Sequence, residues 1–234
     1  MTDFSVIIPT RNRPHYLVQA VDSVLTQNNV SLELLIVDDG TLALPRFSDP
    51  RVKVLNNHQA GPVPARNLGV AEAQGEHIAF LDDDDWWTNE SFLYLVLENL
   101  RQRAAFVFAD GTLVFADGSP DVAFAFAADA KSLESDNSIL ISTVCYARKL
   151  HATLGGFDES LPYYWDWDWY LRVARSGAAM MRLSQSMVAI RVHGGNMSSA
   201  EQEAARRQNL DALTRKHDLP PLILKNHLSL ALER

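Results

Sequence analysis

Four consecutive aspartates, Asp82 to Asp85, are the residues of this sequence whose type and spacing point most directly to chemistry. Carboxylates this close repel one another, so the run needs either free solvation or a compensating cation. Mg²⁺ and Mn²⁺ prefer oxygen ligands, and Mg²⁺ commonly binds one or two carboxylates together with substrate phosphates. The run therefore predicts a divalent cation that holds a diphosphate, and the alternative is a solvated acidic loop.

A second acidic site, Asp38-Asp39-Gly40, follows another apolar run. The string from Val37 to Leu42 resembles the Asp-x-Asp-Gly-Thr-Leu motif of haloacid-dehalogenase-type phosphatases. Val37 occupies the position of the nucleophilic carboxylate in that motif, and a valine cannot attack phosphorus. A nucleotidyltransferase would carry a Gly-rich, Arg-containing phosphate loop after its first strand, whereas Thr10-Arg11-Asn12-Arg13 stands there in this chain.

The elements that must position these residues alternate between short apolar runs and helical patterns. Continuous β-branched runs predict buried strands, and apolar residues at helical spacing predict the helices between them. The predicted strands are Phe4–Pro9, Leu32–Asp38, Val52–Leu55 and His77–Asp82. One helix is predicted to begin at Pro14, a second to span Pro64–Gln74 and end before Gly75, and a third to begin with Thr88 as its cap and end near Arg101. Such β-α-β units predict an α/β fold with a doubly wound, mostly parallel sheet, in which ligands bind beyond the carboxyl ends of the strands. Both acidic sites lie at such ends.

The second half of the chain has a less regular pattern. Two apolar runs in Ala105–Phe115 flank Asp110-Gly111, which predicts a hairpin turn. The other predicted elements are a strand in Ile139–Ala147, a helix over Trp167–Ser176 ended by Gly177, a strand at Met187–Val192 and an amphipathic tail helix over Ser199–His217.

Composition narrows the class of protein. The net charge of −8 argues against a nucleic-acid partner, because phosphate backbones are bound by an excess of Lys and Arg. The single Cys145 allows no internal disulfide and lies in an apolar run, which predicts a buried structural thiol. We find no signal-peptide pattern and no apolar run near the roughly 20 residues of a spanning helix. A cytoplasmic protein is expected, with peripheral contact at the inner face of the membrane left open.

Six segments in a fixed order add a family signal. They are Phe4–Gln27, Leu35–Gly40, Gly61–Gly69, Ile78–Trp86, Gly155–Arg172 and Arg191–Ser198. Together they resemble inverting glycosyltransferases of family 2. Each motif alone is weak, whereas six in sequence are specific. The resemblance implies a GT-A fold with a Rossmann-like nucleotide-binding half, a less regular acceptor-side half and a C-terminal helix.

The resemblance also implies roles for individual residues. The implied nucleotide-binding residues are Pro9, Thr10, Arg11, Asp39, Arg66, Asp82 and Asp83. Among them, Asp39 would accept a hydrogen bond from a base N–H. Asp84 and His193 are the implied ligands of Mn²⁺ or Mg²⁺. Asp85 is a reserve ligand, because the fourth aspartate leaves the register of the D-x-D motif ambiguous by one residue.

On the acceptor side the resemblance places the catalytic base at Asp166, with Asp168 as the fallback. The family commonly has Glu-Asp here, whereas this chain has Trp165-Asp166. If the segment is helical, the two aspartates cannot share a face. Without the resemblance, Asp166 could cap the following helix, His193 could satisfy a loop hydrogen bond, and Arg66 could be a surface arginine. The aromatic residues that flank Asp166 are expected to divide between core packing and stacking on sugar rings.

These observations predict an inverting, metal-dependent glycosyltransferase that moves a sugar from a UDP- or GDP-sugar to a hydroxyl of a polysaccharide, a lipid-linked glycan or another glycan. The alternatives are a non-catalytic nucleotide-sugar-binding module and a sugar nucleotidyltransferase. We expect one domain, with the donor half in residues 1–101, the acceptor-side half in 102–198 and a helical tail in 199–234. Three roles remain open for the tail helix: it could form a homodimer contact, pack on the core or contact a membrane surface.

Overall fold

The computed structural model describes residues 2–194 and 202–233. The end of the Arg191–Ser198 segment and the predicted helix start at Ser199 lie outside the described residues. The strands are β1 Phe4–Thr10, β2 Leu32–Asp38, β3 Val52–Asn56, β4 His77–Phe80, β5 Trp86–Trp87, β6 Phe106–Phe115, β7 Val122–Phe124, β8 Cys145–Ala147 and β9 Met180–Val192. The helices are α1 Pro14–Leu25, α2 Pro62–Glu72, α3 Phe92–Gln102, α4 Lys149–Leu154, α5 Trp165–Arg175, α6 Glu203–His217 and α7 His227–Leu232.

The described strands form one sheet in the order β3-β2-β1-β4-β8-β6-β9-β5, with β7 paired to β6. The first four strands of this order are parallel, and Ile7 in β1 pairs with Leu35 on one side and Phe80 on the other. β8 is antiparallel to both β4 and β6, while β9 runs parallel to β6. The predicted α/β architecture with a mixed, mostly parallel sheet is confirmed.

Both faces of the sheet are buried under helices. Successive side chains of β1 point to opposite faces, so Ile7 packs with residues of α2, α5 and α6, whereas Val6 and Ile8 pack with residues of α1 and α3. Leu210 and Leu213 of α6 belong to the first of these two clusters, so the tail helix packs on the core. Burial on two faces explains why these strands are continuous apolar runs.

The predicted hairpin at Asp110-Gly111 is wrong. β6 continues through both residues to Phe115, because the partner strand β9 runs alongside it and the register shifts there. A Cβ on Gly111 would lie 2.7 Å from a methyl carbon of Leu140. The glycine is therefore needed here for close packing against Leu140 and does not mark a turn.

Two helix ends also differ from the prediction. Helix α3 begins at Phe92 rather than near Thr88, because the Thr88 N–H donates to the Met187 carbonyl at 2.9 Å and extends the pairing of β5. Helix α2 ends at Glu72, before Gly75. A Cβ on Gly75 would lie 2.4 Å from the backbone nitrogen of Ser5, so this glycine permits close approach to β1.

Three other predicted elements are found with changed bounds. The strand in Ile139–Ala147 is reduced to β8, which follows a 3-10 turn at Ile141–Thr143. Helix α5 begins at Trp165, and Gly177 follows it with a φ of 77°. Strand β9 extends back to Met180.

Cys145 is fully buried, as expected for a structural thiol. No helix in the described ranges has both the length and the apolar character that crossing a membrane requires.

Candidate active site

The carboxyl ends of β1, β2 and β4 open onto a cavity of about 620 Å³. The structure brings the site residues expected from the sequence together in its lining. They are Pro9, Thr10, Arg11, Asp39, Arg66, Asp82, Asp83, Asp84, Asp85, Asp166 and His193. Parallel strands explain this convergence, since their carboxyl ends meet at one edge of the sheet.

Asp39 lies directly after β2 and is buried. Its Oδ1 accepts hydrogen bonds from Asn57 Nδ2 at 2.6 Å and from the Gly61 N–H at 3.1 Å. Its Oδ2 is also buried and has no hydrogen-bond donor in the part of the chain that the structure describes. The nearest cationic group is Arg11, with Nη1 4.0 Å from Oδ2. Asp39 therefore presents an unfilled acceptor to the cavity.

Arg66 is a buried arginine of α2, with 6% of its surface exposed, so it is not a surface helix residue. Its guanidinium donates to Asp82 and, at 3.0 Å, to the Pro62 carbonyl. The guanidinium carbon lies 4.4 Å from the centroid of the Trp165 ring. Arg66 thus joins the aspartate run to the first residue of α5.

The next two aspartates are held by the last residue of β1 and by the loop that follows it. Thr10 Oγ1 donates to Asp83 at 2.6 Å, and Arg13 Nη1 lies 2.6 Å from Asp84 Oδ2. His193 Nε2 lies 3.0 Å from the same Asp84 oxygen. Sequence reasoning did not single out Arg13, although its position two residues after Arg11 in the same loop was the available signal.

Asp85 is bound by parts of the chain that are distant in sequence. Its Oδ2 accepts from Ser142 Oγ at 2.6 Å and its Oδ1 from the Arg191 N–H at 3.0 Å. Arg191 Nε also donates to the Asp84 carbonyl at 3.0 Å. These contacts tie the acidic loop to β9 and to the 3-10 turn, and no local motif could have indicated them.

The acidic loop has the donor set of a divalent cation site. One oxygen each of Asp82, Asp84 and Asp85 lies within 4.8 Å of the others. Burial raises the pKa of Asp82, and it raises that of Asp83 to about 6. Burial and the charges of Asp84 and Asp82 raise the pKa of Asp85 well above its usual value. A bound cation would offset this mutual repulsion, and hard carboxylate oxygens suit Mg²⁺ or Mn²⁺.

Asp166 lies in the first turn of α5 and lines the same cavity. It does not cap the helix, because Tyr164 occupies the capping position. Asn137 Nδ2 donates to Asp166 Oδ2 at 3.0 Å. Burial raises the pKa of Asp166 to about 6, although the hydrogen bond from Asn137 lowers it. Sequence reasoning missed Asn137, which belongs to no motif.

Asp168 lies on a different face of α5, and its side chain is fully buried. Its carboxylate contacts Arg172 Nη2 at 2.8 Å, Lys216 Nζ at 2.6 Å and His217 Nε2 at 2.8 Å. Burial raises its pKa, but hydrogen bonds from His217 and Lys216 outweigh that effect and bring it to about 2. Asp168 therefore joins α6 to α5 and does not face the cavity, which leaves Asp166 as the acidic side chain of α5 that lines it.

The aromatic cluster around Asp166 is mostly buried, which agrees with the part of the expectation that concerns core packing. Trp169 and Tyr170 are fully buried in the core. The remaining members contribute to the cavity wall, and they are Tyr163, Tyr164, Trp165 and Trp167. Tyr164, Trp165 and Trp167 are themselves buried members of the core, and Tyr163 is the most exposed of the four.

Comparison with known proteins shows the family and the fold of this chain. The family profile described as Glycosyl transferase family 2 matches residues 5–131. The chain is 32% identical over 234 residues to the glycosyltransferase YwdF of Bacillus subtilis (strain 168). This match covers 95% of this chain and 87% of YwdF. It is 34% identical over 116 residues to the Escherichia coli UDP-Glc:alpha-D-GlcNAc-diphosphoundecaprenol beta-1,3-glucosyltransferase WfgD. This match covers 47% of this chain and 46% of WfgD.

A solved structure shows the same fold. The crystal structure of S. aureus TarS 1-349 in complex with UDP-GlcNAc matches with a TM-score of 0.69 and 21% sequence identity, over 92% of this chain and 66% of that chain. The chain thus spans most of YwdF but only part of WfgD and TarS. With the profile match and the relationship to YwdF, this chain belongs to glycosyl transferase family 2 and is a nucleotide-sugar glycosyltransferase with a GT-A-like fold.

Proposed function

We propose that this enzyme transfers a sugar from a UDP-sugar to a hydroxyl of a lipid-linked glycan, with inversion at the anomeric carbon and with the help of Mn²⁺ or Mg²⁺. The observation that carries the proposal is the placement of Asp39, Asp84 and Asp166 around one cavity. These residues supply an acceptor for a base N–H, a ligand for a cation and a base for the acceptor hydroxyl.

The donor end of the site is argued from Asp39. Its unfilled, buried Oδ2 suits a ligand that brings an N–H donor, because an unpaired buried acceptor is unfavourable. Uracil and guanine both have such a ring N–H. The TarS complex contains UDP-GlcNAc, and this favours a uridine nucleotide over a guanosine nucleotide. Pro9, Thr10 and Arg11 would line the base pocket, and Arg66, Asp82 and Asp83 would contact the nucleotide.

The metal site is argued from the acidic loop. Asp84 is the proposed ligand, with His193 beside it, because Asp85 already accepts hydrogen bonds on both oxygens from Ser142 and Arg191. When bound, the cation would neutralise negative charge on the departing diphosphate. Arg13, at 2.6 Å from Asp84, places a further positive charge beside the same position.

The transfer step needs no nucleophile from the enzyme. The acceptor oxygen attacks the anomeric carbon, its proton passes to the Asp166 carboxylate, and the bond from that carbon to the diphosphate breaks with its electron pair. A single displacement of this kind inverts the anomeric centre. A general base contributes typically about 10²–10⁴-fold to such a rate. A pKa of about 6 leaves Asp166 ionised at neutral pH and still able to accept a proton.

The acceptor class is argued from a relative and from the cavity wall. WfgD acts, by its name, on a GlcNAc-diphosphoundecaprenol. Tyr163 is partly exposed in the cavity lining and offers a stacking surface for the terminal sugar of such a lipid. An enzyme acting on this acceptor would work at the inner face of the membrane, as a peripheral protein.

The test is transfer to GlcNAc-diphosphoundecaprenol from a panel of UDP- and GDP-sugars, with Mn²⁺ or Mg²⁺ and then with excess chelator. We expect metal-dependent UDP release and a product whose new linkage, assigned by NMR, is inverted relative to the donor. Asp166→Asn should reduce transfer at least about a hundredfold with donor binding retained. Asp121→Asn, an exposed aspartate outside the cavity, is the matched control. Retention of configuration, or full activity of Asp166→Asn, would contradict the proposal.

A further inference from the structure

Asn137 makes the side-chain contact that fixes one oxygen of the proposed base. It lies between the 3-10 turns Ser132–Glu134 and Ile141–Thr143, and it lines the cavity beside Asp166. Its Nδ2 is 3.0 Å from Asp166 Oδ2. An ionised carboxylate only accepts hydrogen bonds, so the amide nitrogen must face Asp166 and the amide carbonyl must point elsewhere.

The other end of the Asn137 amide is not satisfied. Its Oδ1 is buried and has no hydrogen-bond donor within residues 2–194 and 202–233. Buried side-chain amides that stabilise a fold usually have partners at both ends, and an unpaired buried oxygen lowers the free energy of unfolding. What distinguishes Asn137 from other residues with such an oxygen is that its amide nitrogen contacts Asp166 in the cavity lining.

The environment of Asp166 leaves one oxygen available for the acceptor. Three other titratable groups lie close enough to interact with its carboxyl. Arg66 from α2 favours the ionised form and lowers its pKa. Tyr164 and Tyr170, from its own segment, have pKa values that burial and the charge of Asp166 raise. None of them is a proposed metal ligand. The backbone N–H groups of Trp167 and Asp166 also favour the ionised carboxyl. Because the Asn137 side chain donates to Oδ2, Oδ1 is the oxygen without a side-chain donor among the described residues.

We infer that Asn137 is a positioning residue for the base, which holds Asp166 by Oδ2 so that Oδ1 faces the acceptor hydroxyl. This inference rests on the proposed function and assigns the proton to one atom. As the acceptor oxygen bonds to the anomeric carbon, its proton moves to Oδ1, and the diphosphate leaves with the electron pair of the broken bond. The hydrogen bond to Oδ2 stabilises the ionised base before the transfer.

The principal test is Asn137→Leu, which keeps the side-chain size and removes the amide. Transfer from UDP-glucose to GlcNAc-diphosphoundecaprenol at pH 7 should fall about tenfold or more in kcat, because a hydrogen bond to a charged group is lost. The KM for the donor should not change. The melting temperature should stay equal or rise, since the unpaired carbonyl is removed too.

A second readout needs no substrate. In protein labelled with ¹³Cγ-aspartate, the carboxyl signal that disappears in Asp166→Asn reports the ionisation of Asp166. Its titration midpoint, near 6 in the unmodified protein, should rise in Asn137→Leu. It should rise further in Asn137→Asp, where two adjacent carboxylates would share one proton. The acid limb of the rate profile should move in the same order.

Asn209 provides a matched control. Its Nδ2 also donates to one partner, the Ala205 carbonyl at 3.1 Å, and its Oδ1 is also buried with no donor among the described residues. It lies in α6 and does not line the cavity. Asn209→Leu should leave both the rate and the Asp166 midpoint unchanged.

The outcomes separate the inference from the proposed function. A wild-type rate and an unmoved midpoint in Asn137→Leu would overturn the positioning role. A fall in rate that only follows a fall in melting temperature would assign Asn137 to stability and overturn it as well. Absence of transfer in the unmodified enzyme, or full transfer in Asp166→Asn, would instead overturn the proposed function, while the titration still decides whether Asn137 holds the carboxylate.

Discussion

The guanidinium of Arg66 stacks on the ring of Trp165, with its central carbon 4.4 Å from the ring centroid. Arg66 also donates to Asp82, so this stack connects the acidic loop to the helix that carries Asp166. Trp165 stands where the family resemblance would place a glutamate. In this chain the Trp165 ring therefore contacts the face of the Arg66 guanidinium, and Asp82 is the carboxylate with which Arg66 pairs.

The stack can be tested with two substitutions. Trp165→Leu removes the aromatic face, and a cation–π contact contributes about 0.5–2 kcal/mol, so UDP affinity should fall several-fold as Arg66 loses its orientation. Trp165→Phe retains a face and should bind UDP more tightly than the leucine variant. Isothermal titration calorimetry measures both. Equal affinities in the two variants would show that the ring does not orient Arg66.

The metal assignment predicts loss of metal-dependent turnover in Asp84→Ala. The side chain is buried next to Asp82 and Asp85, so its removal reduces repulsion and the protein should remain folded. Mn²⁺ titrations followed by UDP release, together with circular dichroism, test both parts. Asp121→Asn is again the control. Undiminished metal-dependent activity in Asp84→Ala would move the ligand role to Asp85.

Base recognition by Asp39 predicts a change of nucleotide preference. Asp39→Asn replaces an acceptor-only carboxylate with an amide that can donate, so the affinity for UDP should fall about tenfold or more. Cytosine has an acceptor at the ring position where uracil has its N–H, so the affinity for CDP should not fall and is expected to rise. Calorimetry with both nucleotides gives the ratio. Parallel losses for UDP and CDP would argue against a base contact.

The raised pKa of Asp166 predicts the acid limb of the pH profile. Burial places this pKa at about 6, so the carboxylate is protonated below that pH and cannot accept the acceptor's proton. Transfer should fall about tenfold for each pH unit below 6 and level off above about 7. Donor binding must be measured over the same range, because burial also raises the pKa of Asp83 to about 6. A rate that is flat from pH 5 to pH 8 would exclude Asp166 as the base.

Asp168 predicts a stability effect rather than a catalytic one. Asp168→Ala removes the buried carboxylate that Arg172, Lys216 and His217 contact, and loss of a hydrogen bond to a charged group costs about 1.5–3 kcal/mol of unfolding free energy. The folded-state pKa of Asp168, about 2, lies below the usual 3.8, so its contribution is present above pH 4 and is lost as the pH falls toward 2. Urea unfolding at several pH values measures this, with Asp211→Ala, an exposed residue of α6, as the control. An unchanged midpoint at pH 7 would contradict it.

The donor side of the site could be predicted from the sequence because local patterns determine it. The apolar runs that end in Asp38 and Phe80 are strands buried on both faces, and parallel pairing then brings their carboxyl ends to one edge. The contacts that hold Asp166 and Asp85 join segments that are distant in the sequence. Asn137 reaches Asp166 across 29 residues, and Ser142 reaches Asp85 across 57, without any repeating pattern.

The wrong predictions have the same cause. Asp110-Gly111 has the composition of a turn, yet β9 provides a partner along the whole of β6 and the chain stays extended. Thr88 is a residue type that commonly caps helices, yet its N–H donates to the Met187 carbonyl and extends the sheet pairing. In both places a strand far along the sequence overrides the local preference.

The C-terminal helices described above have a consequence for how specificity is distributed along the chain. Leu210, Ile223 and His227 line the cavity from segments that contain none of the proposed donor or metal ligands. Exchange of residues 203–233 with the matching portion of a relative would replace the part of the cavity lining that these residues form. The proposed nucleotide and metal ligands would stay unchanged. Enzymes that share one activated sugar could in this way diverge in the glycans that they extend.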